Sequence, residues 1–143
     1  MIQGIFYSLF AGILIALQSI FNTNISAKTG SWTMTTVVHG VGFLAGLLIV
    51  MFVRDGSVEE LLSVNKMYYL SGIFGVLIVY FAAQGMMSLG PVYSFMILMV
   101  AQLLIALIIN TNGWFNVEMI ELTSGKVFGM IIMIIGIVIF QRG

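Results

Sequence analysis

The side chains of this sequence that could do chemistry inside its long apolar stretches are neutral hydrogen-bonding groups. They comprise amides, phenol hydroxyls and one imidazole: Gln18, Asn22, His39, Tyr80, Gln84, Tyr93, Gln102 and Asn110. Such groups donate and accept hydrogen bonds, so they can hold a polar solute. They can equally tie neighbouring helices together, since interhelical polar contacts in membranes contribute about 0.6 kcal/mol on average. Both interpretations stay open for each residue taken alone.

The sequence lacks the residue sets that catalysis or metal binding would need. Every carboxylate falls outside the apolar stretches, at Asp55, Glu59, Glu60, Glu118 and Glu121. One histidine and no cysteine leave no Ser-His-acid arrangement, no metal-ligand spacing and no thiol chemistry, and no Gly-rich phosphate loop occurs. We therefore expect no enzymatic activity, no metal and no cofactor. The net charge of zero also argues against nucleic-acid binding.

The elements that must position these groups are membrane-spanning helices. The chain is 61% hydrophobic and only 7% charged, whereas soluble domains carry about 25% charged residues. A span needs roughly 20 apolar residues, and the longest uncharged run must hold two spans because Gly90-Pro91 supplies a turn inside it. The sequence thus predicts an all-α integral membrane protein with one domain, 1–143, in a lipid bilayer. Its five predicted spans are 3–23, 33–53, 67–88, 92–111 and 124–140.

Helical periodicity arranges the polar groups in pairs. Gln18 and Asn22 lie four residues apart on one face of the first span, where both amides can address one partner or one ligand. Tyr80 and Gln84 form a second pair with the same spacing. Together with Gln102 near the middle of its span, the first pair favours a cavity between the helices.

His39 lies beside the step Gly42-x-x-x-Gly46 in the second span. An ionisable side chain at membrane depth is a functional-site hypothesis by default. The alternative is a neutral imidazole that hydrogen-bonds to a neighbouring helix. The two glycines would let another backbone approach closely.

The basic residues divide almost evenly between the two sides of the predicted membrane. Arg54, Lys66 and Lys126 fall on the side of the N-terminus, and Lys28 and Arg142 fall on the other. Because an excess of Lys and Arg normally sets the cytoplasmic side, three against two is a weak bias. It favours dual topology, in which copies insert both ways; the alternative is one orientation with the N-terminus in the cytoplasm.

The last span has a surface suited to a second copy of the chain. Gly125, Gly129, Ile132 and Gly136 share one face, and no polar side chain lies in the interior of this span. Small residues on one face are typical of close helix packing in membranes. If copies insert oppositely, an antiparallel homodimer has a two-fold axis in the membrane plane, which is the inverted-repeat symmetry of many transporters.

Four short motifs add a family resemblance over essentially the whole chain: Gln18-x-x-x-Asn22, Ser88-Leu89-Gly90, Gln102-Leu103 and Asn110-x-x-Gly113. The sequence resembles the YdcZ-type family of the drug/metabolite transporter superfamily. The resemblance implies a bacterial inner-membrane half-transporter that exports or exchanges small solutes. It departs from the family at Asn110, where Asp is common, and at His39, where a neutral polar residue is usual, so proton coupling would depend on His39.

The sequence as a whole predicts a transporter of a small polar or drug-like solute that works by alternating access as an antiparallel homodimer. The predicted substrate contacts are Gln18, Asn22, His39, Tyr80, Gln84, Gln102 and Asn110. Two alternatives are a non-transporting membrane subunit that stabilises or regulates a larger complex, and a passive channel.

Overall fold

The protein is helical throughout the part of the chain that the structure describes. The computed structural model describes residues 1–54 and 56–143, and no strand occurs in these ranges. Six α-helices follow one another: α1 (Ile2–Thr29), α2 (Ser31–Val53), α3 (Val58–Ser63), α4 (Ser71–Leu89), α5 (Pro91–Asn112) and α6 (Ser124–Arg142). Two short 3₁₀-helices, Lys66–Leu70 and Trp114–Asn116, precede α4 and follow α5.

Five helical segments in the described ranges are long and apolar enough to cross a membrane. They are Ile2–Thr29, Ser31–Val53, Lys66–Leu89, Pro91–Asn112 and Ser124–Arg142. Each contains one of the predicted spans, so the all-α prediction and the five-span prediction are confirmed. Helix is the expected form because a backbone in hydrocarbon must satisfy its hydrogen bonds within its own segment. The dimer stays a prediction.

A single residue, Gly30, connects α1 to α2. Its φ of 87° lies in the left-handed region that favours glycine. Its N–H donates to the carbonyl of Ser26 at 2.8 Å, and its carbonyl accepts from the N–H of Met34 at 3.0 Å. The two helices therefore turn back on each other without an intervening loop.

Glycine also punctuates the ends of α5. Gly90 has a φ of 80° and is followed by Pro91 at the first helical position, where the missing N–H costs the helix nothing. At the other end Gly113 has a φ of 63°, and its N–H donates to the carbonyl of Asn110 at 3.4 Å. The turn predicted at Gly90-Pro91 is thus present.

The short helix α3 lies between the second and third predicted spans, where no helix was predicted. Ser57 caps this helix by accepting a hydrogen bond from the N–H of Glu60 at 3.0 Å, and Glu59 and Glu60 occupy the first turn. An acidic first turn is favourable beside the positive end of a helix. The hydroxyl of Tyr69 donates to the carbonyl of Leu61 and ties the following 3₁₀-helix to α3.

The chain divides into two compact units, Met1–Met87 and Ser88–Gly143. In the first, α1 and α2 pack together, and the buried residues include Met34, Thr35 and Ala83. In the second, α5 packs against α6, and the Tyr93 hydroxyl donates to the Gln141 side-chain oxygen at 2.8 Å. That the whole of 1–143 forms one domain stays a prediction.

Candidate functional site

A groove of about 690 Å³ runs between α1 and α2 in the first unit. Its lining combines apolar side chains with one glycine and two amides: Leu14, Ile15, Leu17, Gln18, Phe21, Asn22, Ile25, Val37, Val38, Val41 and Gly42. The α1 residues of this wall recur at helical spacing, so one face of α1 presents them together. The structure therefore brings the predicted pair Gln18 and Asn22 to one apolar groove.

The two amides of this groove differ from the neighbouring Thr23 in their hydrogen bonding. Asn22 is only 5% exposed, and neither Asn22 nor Gln18 makes a side-chain hydrogen bond to any described residue. The neighbouring Thr23 hydroxyl, by contrast, donates to the Ser19 carbonyl of its own helix at 2.8 Å. Asn22 thus offers two N–H donors and a carbonyl acceptor to whatever occupies the groove.

A second polar cluster, the hydroxyl junction, consists of Ser26, Ser31 and Gln84. The Ser26 and Ser31 hydroxyl oxygens lie 2.5 Å apart across the Gly30 turn, and the Gln84 amide nitrogen donates to the Ser31 hydroxyl at 2.9 Å. Ser26 is 4% exposed and Ser31 is 8% exposed. This junction fixes the turn between α1 and α2 to α4.

Packing around the hydroxyl junction involves the second half of α4. The Thr23 hydroxyl lies 3.5 Å from the Met86 sulfur, and Ala83 and Met86 are both buried. The Tyr80 ring stacks on Trp32 with centroids 4.0 Å apart and an interplanar angle of 18°. Aromatic pairs of this kind contribute about 0.5–1.5 kcal/mol beyond their buried area.

The structure therefore separates the predicted contacts of the first unit into two groups. Gln18 and Asn22 line the groove, whereas Tyr80 and Gln84 make contacts between α4 and α2. Substrate contact by Tyr80 or Gln84 stays a prediction. Sequence reasoning missed Ser26 and Ser31; the available signal was a pair of serines flanking a glycine between two apolar spans.

The two ring nitrogens of His39 have different surroundings. Nδ1 lies 2.9 Å from the Thr35 carbonyl, and because a carbonyl only accepts, Nδ1 carries the proton. Nε2 lies 3.4 Å from the position of a Cβ built at Gly75 on α4. The hydrogen-bond partner is thus in the same helix, and not in a neighbouring helix as the alternative interpretation of this residue expected.

The remaining predicted contacts, Gln102 and Asn110, lie on α5 in the second unit. Gln102 is exposed. The Asn110 carbonyl accepts hydrogen bonds from the N–H groups of Gly113 and, at 3.1 Å, of Ile120. Asn110 therefore marks where the segment after α5 folds back onto the end of that helix. A shared site of Gln102 with Gln18 and Asn22 stays a prediction.

The predicted pairing face of α6 is open within the described chain. A Cβ built at Gly129 or Gly136 meets nothing within 4 Å in the described ranges, and one at Gly125 reaches only the Thr123 hydroxyl at 4.0 Å. Ile132 is 54% exposed. Gly136 also borders a smaller groove of about 300 Å³ between α5 and α6. Pairing through this face stays a prediction.

Comparison with known proteins identifies the chain at the level of a family. The family described as "Putative inner membrane exporter, YdcZ" matches residues 3–139. No curated protein and no solved structure matches the chain. The matched range takes in all five long apolar helices, and it agrees with the resemblance carried by the four short motifs. The chain is therefore a multi-pass inner-membrane protein that belongs to the YdcZ family of the drug/metabolite transporter superfamily.

Proposed function

We propose that this chain exports or exchanges a small solute by alternating access, as an antiparallel homodimer. Membership in a family of drug/metabolite transporters supports a transport role. The observation that carries the proposal is the groove between α1 and α2, where the amide of Asn22, a residue only 5% exposed, has no hydrogen-bond partner among the described residues.

The homodimer part of the proposal rests on charge and on surface. Five basic residues divide three to two between the predicted sides of the membrane. This bias is weak, so copies of the chain can insert in either orientation. The glycines of α6 have room for another helix, and a two-fold axis in the membrane plane would supply the inverted repeat on which alternating access is built. We propose Gly125, Gly129, Ile132 and Gly136 as the pairing face.

Solute contacts are proposed in two tiers. Gln18, Asn22 and Gln102 are the proposed primary contacts because they are neutral amides on α1 and α5 with no side-chain hydrogen bond in the described chain. His39, Tyr80, Gln84 and Asn110 are the proposed outer contacts. The side chains of His39, Tyr80 and Gln84 already make structural contacts, so substituting one of them would reduce folding and transport together.

Dual insertion is tested by fusing topology reporters to the C-terminus. We expect signal from both sides of the membrane. The substitutions Ala27→Lys and Thr29→Lys, at exposed positions beside Lys28, change the balance from three against two to three against four and should move most copies to the opposite orientation. Signal from one side only, in the wild type, would refute dual insertion.

Transport is tested by an assay that surveys all solutes in the medium at once. The medium of cells expressing the wild type is compared by mass spectrometry with that of cells expressing Gln18→Leu together with Gln102→Leu. We expect at least one solute whose release depends on the wild type and is lost in the variant. Asn24→Leu is the matched control because Asn24 is an exposed amide on α1 outside the groove.

Three results would overturn the transport proposal. Equal release of every solute by the double variant and the wild type, at equal protein levels in the membrane, would show that the two amides do not contact the solute. A monomer in mild detergent that co-purifies with another protein would favour the regulatory subunit. Flux that neither saturates nor shows counter-transport would favour a channel.

A further inference from the structure

The groove between α1 and α2 has the composition of a site for an uncharged solute. Among the described residues, Gln18 and Asn22 supply its only polar side chains, and no charged residue lines it. A charged ligand would leave water for this groove without a counter-ion, which is costly in an apolar environment. A purely apolar ligand would cover the Asn22 amide without giving it a hydrogen-bond partner, which is also costly.

The hydrogen-bonding state of Asn22 leaves its amide available to a ligand. Hydroxyls nearby use backbone carbonyls one turn back: Thr23 bonds to Ser19, Thr35 to Ser31 and Thr36 to Trp32. Asn112, the same residue type on α5, does likewise by donating to the Ile108 carbonyl at 2.7 Å. Asn22 makes no such bond within the described chain although it is 5% exposed.

The dimensions of the groove set the size of the solute. Its α1 wall extends from Leu14 to Ile25, about 16 Å along the axis at the standard rise. Its α2 wall extends from Val37 to Gly42, so the groove lies in the half of the helix pair nearer the Gly30 turn. A volume of about 690 Å³ falls in the usual range of small-molecule sites, roughly 300–1,000 Å³.

We infer that the α1–α2 groove binds an uncharged amphipathic solute, whose single neutral hydrogen-bonding group meets Asn22 and Gln18 while its hydrocarbon part lies along the apolar walls. This inference rests on the proposed transport function and names its substrate class. Organic cations, organic anions and unsubstituted hydrocarbons are the excluded classes.

Binding is measured on the full-length chain in phosphatidylcholine nanodiscs with three fluorescent compounds of similar ring structure. N-phenyl-1-naphthylamine is neutral and carries one N–H group, 8-anilino-1-naphthalenesulfonate adds a negative charge, and 1-phenylnaphthalene has no hydrogen-bonding group. Fluorescence of empty nanodiscs is subtracted from each titration. We expect a saturable signal for the neutral amine, and none for the sulfonate or the hydrocarbon.

Variants of both walls locate the binding. Asn22→Leu and Gln18→Leu should each weaken binding of the amine about fivefold, since one net hydrogen bond corresponds to roughly 2- to 12-fold in Kd. Gly42→Leu should abolish saturable binding, because a Cβ at Gly42 meets nothing within 4 Å in the described chain and the longer side chain can fill the groove. Circular dichroism of every variant checks that its helices have formed.

Two substitutions serve as matched controls. Asn24→Leu makes the same change on α1 outside the groove, and Gly46→Leu makes the same change one turn along α2, where the glycine is equally open. Both should bind the amine like the wild type. If Asn22→Leu fails to fold, the variants Gln18→Leu and Gly42→Leu still test the α1 wall and the α2 wall of the groove, because Gln18 is exposed and Gly42 has open space beside it.

Four results would overturn the inference. They are tighter binding of the sulfonate, equal binding of the hydrocarbon, unchanged binding by Gln18→Leu and Gly42→Leu, or a change of oligomeric state in Gly42→Leu without a change in binding, which would make a second copy the occupant. Failure of transport is separable: saturable binding of the amine with no wild-type-dependent solute in the medium contradicts the transport proposal and supports the ligand class.

Discussion

The substitution Ser31→Ala tests whether the hydroxyl junction holds α1, α2 and α4 together. The Ser31 hydroxyl lies 2.5 Å from the Ser26 hydroxyl and accepts from the Gln84 amide at 2.9 Å. Removing it breaks both contacts at one position. It also leaves the Ser26 hydroxyl, in a residue only 4% exposed, without this partner.

The expected loss follows from the number of contacts. Interhelical polar contacts in membranes average about 0.6 kcal/mol with a maximum of about 1.7, so two contacts predict a free energy of unfolding lower by about 1.2 kcal/mol and by at most about 3.4 kcal/mol. Ser26 can recover part of this loss by turning its hydroxyl toward a carbonyl of its own helix. The lower value is therefore the expected one.

The assay is reversible unfolding of the full chain in bicelles by added sodium dodecyl sulfate. Ser8→Ala is the matched control, because Ser8 is an exposed serine on α1, and it should change the unfolding free energy by less than about 0.5 kcal/mol. A double-mutant cycle of Ser26→Ala with Ser31→Ala should give a coupling of about 0.6 kcal/mol. Equal stabilities of Ser31→Ala and Ser8→Ala would refute the junction.

Three further predictions concern other contacts. Gly113→Ala should lower the unfolding free energy by about 1–2 kcal/mol, because φ is 63° at this position and a left-handed backbone costs an L-residue that much. The added Cβ would also lie 2.6 Å from Met119 Cγ. A stability equal to that of the wild type in the same unfolding assay would contradict this prediction. Tyr80→Leu should cost about 0.5–1.5 kcal/mol by loss of the stack on Trp32, and a double-mutant cycle with Trp32→Leu that shows no coupling would exclude the stack as the cause. For the proposed homodimer, Gly129→Leu should shift light scattering from dimer to monomer without loss of helix, because its Cβ position is open within the described chain; a dimer that persists in the variant would exclude α6 from the proposed interface.

The helices were predictable from the sequence because the membrane imposes their length. In a bilayer, uncharged runs of about 20 residues can satisfy their backbone hydrogen bonds only as helices. No charged residue separates the third predicted span from the fourth, and there Gly90-Pro91 indicated the boundary. The short helix α3 was missed because six residues carry no reliable periodicity. The sequence feature that indicates this helix is Ser57 followed three residues later by Glu60, the spacing of a capping box at a helix N-terminus.

Side-chain partners were harder to predict than helices. Spacing on one helix placed Gln18 and Asn22 together, and both line the groove. The partners of Gln84 and Tyr80 depend on how α2 and α4 pack, and the spacing of residues along one helix does not show this. Ser26 and Ser31 were overlooked since hydroxyls in apolar helices usually bond to their own backbone, as Thr35 does.

The two polar clusters of α1 suggest how a transport cycle would divide its work. Ser26 is bonded across the Gly30 turn and through Ser31 to α4, whereas Asn22, one helical turn away, has no partner in the described chain. Breaking the junction leaves the Ser26 and Ser31 hydroxyls without each other as partners, while a solute in the groove pairs the Asn22 amide. Because the junction holds the turn end of the α1–α2 pair, we expect that under the proposed function a solute enters and leaves the groove at its far end, near Leu14 and Gly42.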